Sequence, residues 1–208
     1  MPLSKLSDEE LLRLLAAGDE NALTTLYRRR QGAIYRFALQ MSGCPAVAED
    51  VTQEVFIRMM CDPQSYDPSR GSVAAYLYGI ARNQVLRRLR RDQNHVQIDD
   101  EEETVHESLI AESDPLGDLT RGEAIESLRQ AVLALPEHYR EAVVLCDLHE
   151  MSYQESASAL GCSVGTIRSR LHRGRALLAA KLRSSRAGIS EAADEKRCLT
   201  WNAKTLKA

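Results

Sequence analysis

Seven Lys or Arg residues lie between Thr166 and Arg186, with no Asp or Glu among them. Guanidinium groups bond phosphates and guanine edges in pairs. The chemistry available there is recognition of a polyanion. The apolar residues Ile167, Leu171, Leu178 and Leu182 recur at helical spacing. Arg168, Ser169, His172, Arg173 and Arg175 lie largely off that face, as a reading surface requires. A basic run alone also describes an ordinary solvated helix. The residues just ahead of it decide between the two readings.

A supporting helix is legible upstream. Ser152 and Glu155 have capping-box spacing, so a helix starts at Ser152. Gly161 ends it, since glycine tolerates the left-handed conformation of a tight turn. Ser163 caps a second helix opening at Val164. Ala157 is small enough for two helices to cross closely. This is helix-turn-helix spacing, and the second helix is the one that enters a DNA groove.

Charge is distributed unevenly. The chain has 208 residues and a net charge of −3, while Thr166–Arg186 carries +7, leaving −10 elsewhere. A second basic cluster, Arg82 with Arg87, Arg88, Arg90 and Arg91, sits near mid-chain. Between the clusters, Asp99 to Asp114 holds eight carboxylates and no Lys or Arg. Such a block reads as solvated, so residues 92–118 are expected to be an acidic, flexible linker. No apolar run reaches membrane-spanning length, and the N-terminus has no signal-peptide layout. Five scattered cysteines fit a reducing compartment. The expectation is a cytoplasmic protein with no membrane insertion.

The rest of the chain reads as helix. Ser7 and Glu10 form another capping box, and Asp19 caps a second helix whose expected buried face is Leu23, Leu26, Tyr27, Ile34, Ala38 and Met41. A third helix spans about 46–60, with Val47, Val51, Val55 and Met59 in register. Residues 61–72, with two prolines and a glycine, form a loop. Ser72 opens a helix through about Arg91, with Tyr76, Leu77, Ile80, Ala81 and Val85 expected inside. A further helix spans about 118–134, and Pro136 is expected in the first turn of the next, which buries Ala142, Val143, Leu145 and Cys146. No β pattern appears. The fold class is all-α: two small helical domains, residues 1–91 and 119–183, with a tail at 184–208 read as disordered.

Two halves of the chain resemble one family. AEDVTQEVF (48–56) with AYLYGIARNQVLRRLRR (75–91) is similar to region 2 of bacterial RNA polymerase sigma factors. LPEHYREAVVL (135–145) with the helix-turn-helix resembles their region 4. The two-domain layout looks like the extracytoplasmic-function (ECF) class. The resemblance implies that Asp50, Gln53 and Glu54 meet the β′ clamp helices of core polymerase, and that region 4 meets the β flap. It implies minus-10 contacts from Tyr78, Arg82, Asn83, Arg87, Arg88 and Arg91, with Tyr76 the other aromatic candidate and the more natural core residue. It implies minus-35 contacts from Thr166, Arg168, Ser169, His172 and Arg173, with Arg170 and Arg175 on the DNA backbone. Promoter DNA and an anti-sigma factor are the other implied partners. Two positions depart from the family pattern: Glu150-Met151 replaces the usual glycine before the serine cap, and Ser156 replaces a branched apolar residue.

Two other classes compete. A stand-alone repressor would bind a palindrome as a dimer. An enzyme would need a motif that is missing, with no Walker loop, HExxH or nucleophile elbow in the chain. Cys146 and His149 could form half a zinc site, but further ligands are not evident, so neither metal nor cofactor is expected.

Overall fold

In the computed structural model, residues 3–95 and 117–183 are described, and among them every regular element is helical. They are α1 (Asp8–Ala16), α2 (Glu20–Ser42), α3 (Pro45–Cys61), α4 (Val73–His95), α5 (Gly117–Leu133), α6 (Glu137–Val143), α7 (Tyr153–Leu160) and α8 (164–183). The expected linker, for residues 96–116, and the tail lie outside the described residues. None of these helices is long and apolar enough to cross a membrane.

Local chemistry sets the boundaries. Ser7 caps α1 with the reciprocal Glu10 bond, and Asp19 caps α2 by accepting from the Asn21 N–H at 2.9 Å. Asp8 then ties α1 to α2, accepting from Arg29 and from Arg30 at 2.5 Å each. α4 runs to His95, past the expected stop at Arg91, and α5 opens at Gly117. Pro136 proves to be the cap preceding α6 (ψ 140°) and not a residue of its first turn. After α6 the chain widens into one π-helical turn, Val144–Leu148.

The first domain packs α2 against α1, α3 and α4. Its core is Leu26, Ile34, Phe37, Met41, Val51, Val55, Met59, Leu77, Ala81 and Val85, all buried. Two expectations shift. Phe37 is a central core residue that the sequence reading passed over. Tyr27, expected inside, is 39% exposed, its ring standing edge-on to Phe56 at 4.8 Å.

The second domain does not stand apart. The same core continues through Val144, Leu145, Met151, Ala157, Leu160 and Ile167. α7 lies along α4, and a Cβ on Gly79 would sit 3.2 Å from the Ala159 carbonyl oxygen. Arg140 crosses to donate to the Met41 carbonyl at the end of α2, at 2.6 Å, and also to the Leu133 and Leu135 carbonyls of its own domain. The two helical units therefore form one closed body.

Candidate nucleic-acid interface

The reading helix is positioned from both ends of its turn. Ser152 Oγ accepts from the Glu155 N–H, and Glu155 Oε2 accepts from the Ser152 N–H, both at 3.2 Å. This reciprocal pair satisfies two of the open N–H groups at the start of α7. Gly161 takes the left-handed conformation (φ 62°) and ends it. Ser163 Oγ accepts from the Thr166 N–H at 3.1 Å and starts α8. Ile167 and Leu171 are buried beneath, which fixes the rotation of α8 about its axis.

That rotation sets the outward face. Arg168, Ser169, His172 and Arg173 are exposed together. Thr166 is half-buried, its hydroxyl 2.9 Å from Ser163 Oγ. Arg168 sits over the Tyr153 ring at 6.0 Å, a cation–π support from α7 that sequence spacing did not reveal. Two other arginines are already engaged. Arg175 makes a two-pronged bond to Asp147, at 3.0 and 2.5 Å, which raises its pKa further. Arg170 lies 3.8 Å from Glu141 Oε2.

The α4 cluster divides in the same way. Asn83, Arg87 and Arg91 are exposed, and their spacing of four places them along one side. Arg88 is half-buried and donates to Gln84 at 3.2 Å. Arg82 turns inward and donates to Glu141 Oε1 at 2.5 Å. The Glu141 carboxylate is 1% exposed; it follows Glu137, His138 and Arg140 in sequence, and nothing there announced a buried charge.

The aromatic expectations exchange places. Tyr78, offered as a stacking face, is only 6% exposed. Its ring packs edge-on against Phe37 and His149, and its hydroxyl lies 2.9 Å from His149 Nδ1. Burial pushes the Tyr78 phenol pKa upward. Tyr76, expected inside, is half-buried and lines a cavity of about 320 Å³ with Tyr66, Arg58, Arg70 and Asn83. The Tyr66 hydroxyl donates to the Gly71 carbonyl at 3.0 Å, which helps hold this loop. Ser158 of α7 closes one wall of the cavity.

His149 also answers the metal question raised by its spacing from Cys146. Its Nε2 lies 2.8 Å from Gln40 Oε1, so both ring nitrogens are engaged by other residues. Cys146 instead lies 3.3 Å from Ser156 Oγ. The Ser156 hydroxyl, fully buried, is satisfied there.

On the far side of the first domain, Asp50 and Gln53 are exposed on α3, and Glu54 is half-buried. Gln53 borders a mostly apolar groove of about 360 Å³ formed by Leu23, Tyr27, Phe56, Ile57 and Met60. Tyr27, Ile57 and Met60 are large apolar side chains left exposed, a pattern that marks protein interfaces.

Comparison with known proteins gives this arrangement a family. Residues 26–95 match Sigma-70 region 2, and residues 125–178 match Sigma-70, region 4. The ECF RNA polymerase sigma factor SigW of Bacillus subtilis is 30% identical over 178 residues, spanning 83% of this chain and 95% of SigW. The ECF RNA polymerase sigma factor SigE of Mycolicibacterium smegmatis is 35% identical over 77% of this chain, which covers 62% of that longer protein. Among solved structures, the sigma factor RpoE of Bartonella quintana, crystallised with the anti-sigma factor NepR, superposes with a TM-score of 0.58 at 25% identity, over 74% of this chain and 91% of that one. Two sigma regions in the order and spacing read from the residues, and a match over 95% of SigW, leave one assignment: the chain belongs to the extracytoplasmic-function class of sigma-70-type RNA polymerase sigma factors.

Proposed function

We propose that this chain binds core RNA polymerase and directs it to promoters, with residues 119–183 reading the minus-35 element and residues 1–91 opening the minus-10 element. The observation that carries this reading is the face of α8. Arg168, Ser169, His172 and Arg173 stand outward over the buried Ile167 and Leu171, directly after a capped helix and a left-handed turn. Such a helix delivers donors to base edges in the major groove. Arg170 and Arg175 reach the DNA backbone. In the first domain, Asn83, Arg87, Arg88 and Arg91 track the single strand, Arg82 and Tyr78 join them once uncovered, and a basic track with aromatic rings suits unstacked bases. Asp50, Gln53 and Glu54 meet the β′ clamp helices, with the second domain on the β flap.

The protein catalyses nothing itself and needs no metal or cofactor. It acts by binding, and polymerase holds the two readers at the proper separation. RpoE of Bartonella quintana was solved bound to an anti-sigma factor. A partner of the same kind restrains this chain in the cytoplasm.

Run-off transcription tests the reading. Purified chain, core polymerase and a promoter library are combined, with an Arg168→Ala, Arg173→Ala variant alongside. Start sites that need the chain and fade in the variant are the expected result. No gain of initiation, together with dimeric protection of a palindrome by the chain alone, would replace this reading with a repressor.

A further inference from the structure

The groove between α2 and α3 stays open after every described element has packed. Leu23 and Phe56 form its base, and Tyr27, Ile57 and Met60 stand 39%, 49% and 51% exposed around it. Apolar side chains gathered in this way gain by leaving water together, so the groove calls for an occupant. Its surroundings are acidic. Glu20 stands one turn before Leu23 and Thr24 on α2, and Glu49 and Asp50 stand one turn before Gln53 on α3, all exposed. Glu54 adds a half-buried carboxylate. Arg28, beside Tyr27, opposes them, while Arg58 turns to the other cavity.

Two stretches of this chain outside the described residues are long enough to cover the groove, and charge separates them. Residues 96–116 bring eight carboxylates and no Lys or Arg, so the acidic rim repels them. Residues 196–208 are the opposite. They carry Lys196, Arg197, Lys204 and Lys207, no Asp or Glu, and the apolar Leu199, Trp201 and Leu206. Reach is sufficient. Trp201 follows Arg183, where α8 ends, by 18 residues. An extended chain of that length spans about 60 Å. A compact body of about 160 residues is only about 40 Å across.

We propose that residues 196–208 fold back onto this groove, with the Trp201 indole seated against Tyr27, Ile57 and Met60 and the four cations facing Glu20, Glu49, Asp50 and Glu54. Tryptophan suits the role, since it brings a large, rigid apolar surface at little entropic cost. The tether supplies the segment at roughly millimolar effective concentration, so a weak contact is enough. Gln53 lies in the same groove. On the proposed function, on which this consequence alone rests, a docked tail and the β′ clamp helices exclude one another.

Trp201 is the chain's only tryptophan, so its fluorescence reports on the tail alone. The full-length chain is compared with two double variants. Ile57→Asp with Met60→Asp alters the groove at two exposed positions. Leu199→Asp with Leu206→Asp alters the tail and leaves every described residue as it is. Circular dichroism checks that each chain stays folded. Wild-type emission should be blue-shifted, with acrylamide quenching about threefold weaker than in either variant, as a docked fraction of about two thirds requires. Equal quenching in the wild type and the groove variant would overturn the docking. Protection that appears only as concentration rises, with a doubled mass by light scattering, would overturn it in favour of a second copy of the chain. The tail variant should also bind core polymerase about threefold more tightly, as the competent fraction rises from about one third. Binding as tight in the wild type as in the variant would overturn the exclusion. No binding by any of the chains would sink the proposed function and leave the fluorescence result standing.

Discussion

Tyr78 and His149, from different domains, meet with the phenol oxygen 2.9 Å from Nδ1 and their rings edge-to-face at 5.2 Å. Gln40 completes the contact on the other ring nitrogen at 2.8 Å. Burial, with the nearby Arg36 charge, pulls the His149 pKa down from 6.5 to about 4. The closed form therefore favours the neutral ring. Its contribution is fully present above about 6.5 and is lost as pH falls toward 4, because the released ring binds the proton first. The thermal midpoint should fall across that window, and His149→Gln should fall less steeply. Parallel slopes for the two chains would disprove the coupling.

Ser152→Ala removes one half of the capping box at α7. It should cost about 1 kcal/mol of stability, read by urea denaturation, with the denaturant slope unchanged. The polymerase-binding face on α3 should be unaffected.

Glu150 holds a left-handed backbone (φ 55°) where the family usually places glycine. Glu150→Gly should stabilise the chain by about 1 kcal/mol, since the L side chain strains that conformation. A midpoint that stays put or drops would mean the Glu150 side chain makes a compensating contribution.

Arg168 and Arg173 should each be worth about 1–3 kcal/mol in promoter selection if they meet base edges, with preference relaxed at one base position. Arg175, already paired with Asp147, should matter less and mainly through a shallower salt dependence. Initiation by the reconstituted polymerase at several salt concentrations separates the two kinds of contact.

Features fixed by near neighbours were legible from the chain. Both capping boxes and the Gly161 turn depend on residues three or four apart, and each stands where the spacing put it. So does the buried pair Ile167 and Leu171 that aims α8. Features settled by distant partners were not. Glu141 follows Glu137, His138 and Arg140 in sequence, where a carboxylate reads as solvated, and its partner Arg82 is 59 residues away. The choice between Tyr76 and Tyr78 depended on where His149 would come to rest, 71 residues beyond Tyr78. Phe37, three residues after Ile34 and four before Met41, was legible as part of the buried stripe of α2, whereas the surface position of the Tyr27 ring against Phe56 was not. The π-helical turn at Val144–Leu148 has no local signature, since one extra residue per turn is accommodated only by what packs around it.

Arg140 carries a consequence for how the chain changes state. Its guanidinium bridges the Met41 carbonyl near the end of α2 in one domain and the Leu133 and Leu135 carbonyls at the end of α5 in the other, while its Nε finds no partner. A half-separated pair of domains would strand this cation and the Met41 carbonyl together, before water could reach either. Intermediate degrees of opening are therefore the least stable ones. The molecule should behave as a latch with two settings, closed or open, and polymerase shifts the population between them in step with its own binding.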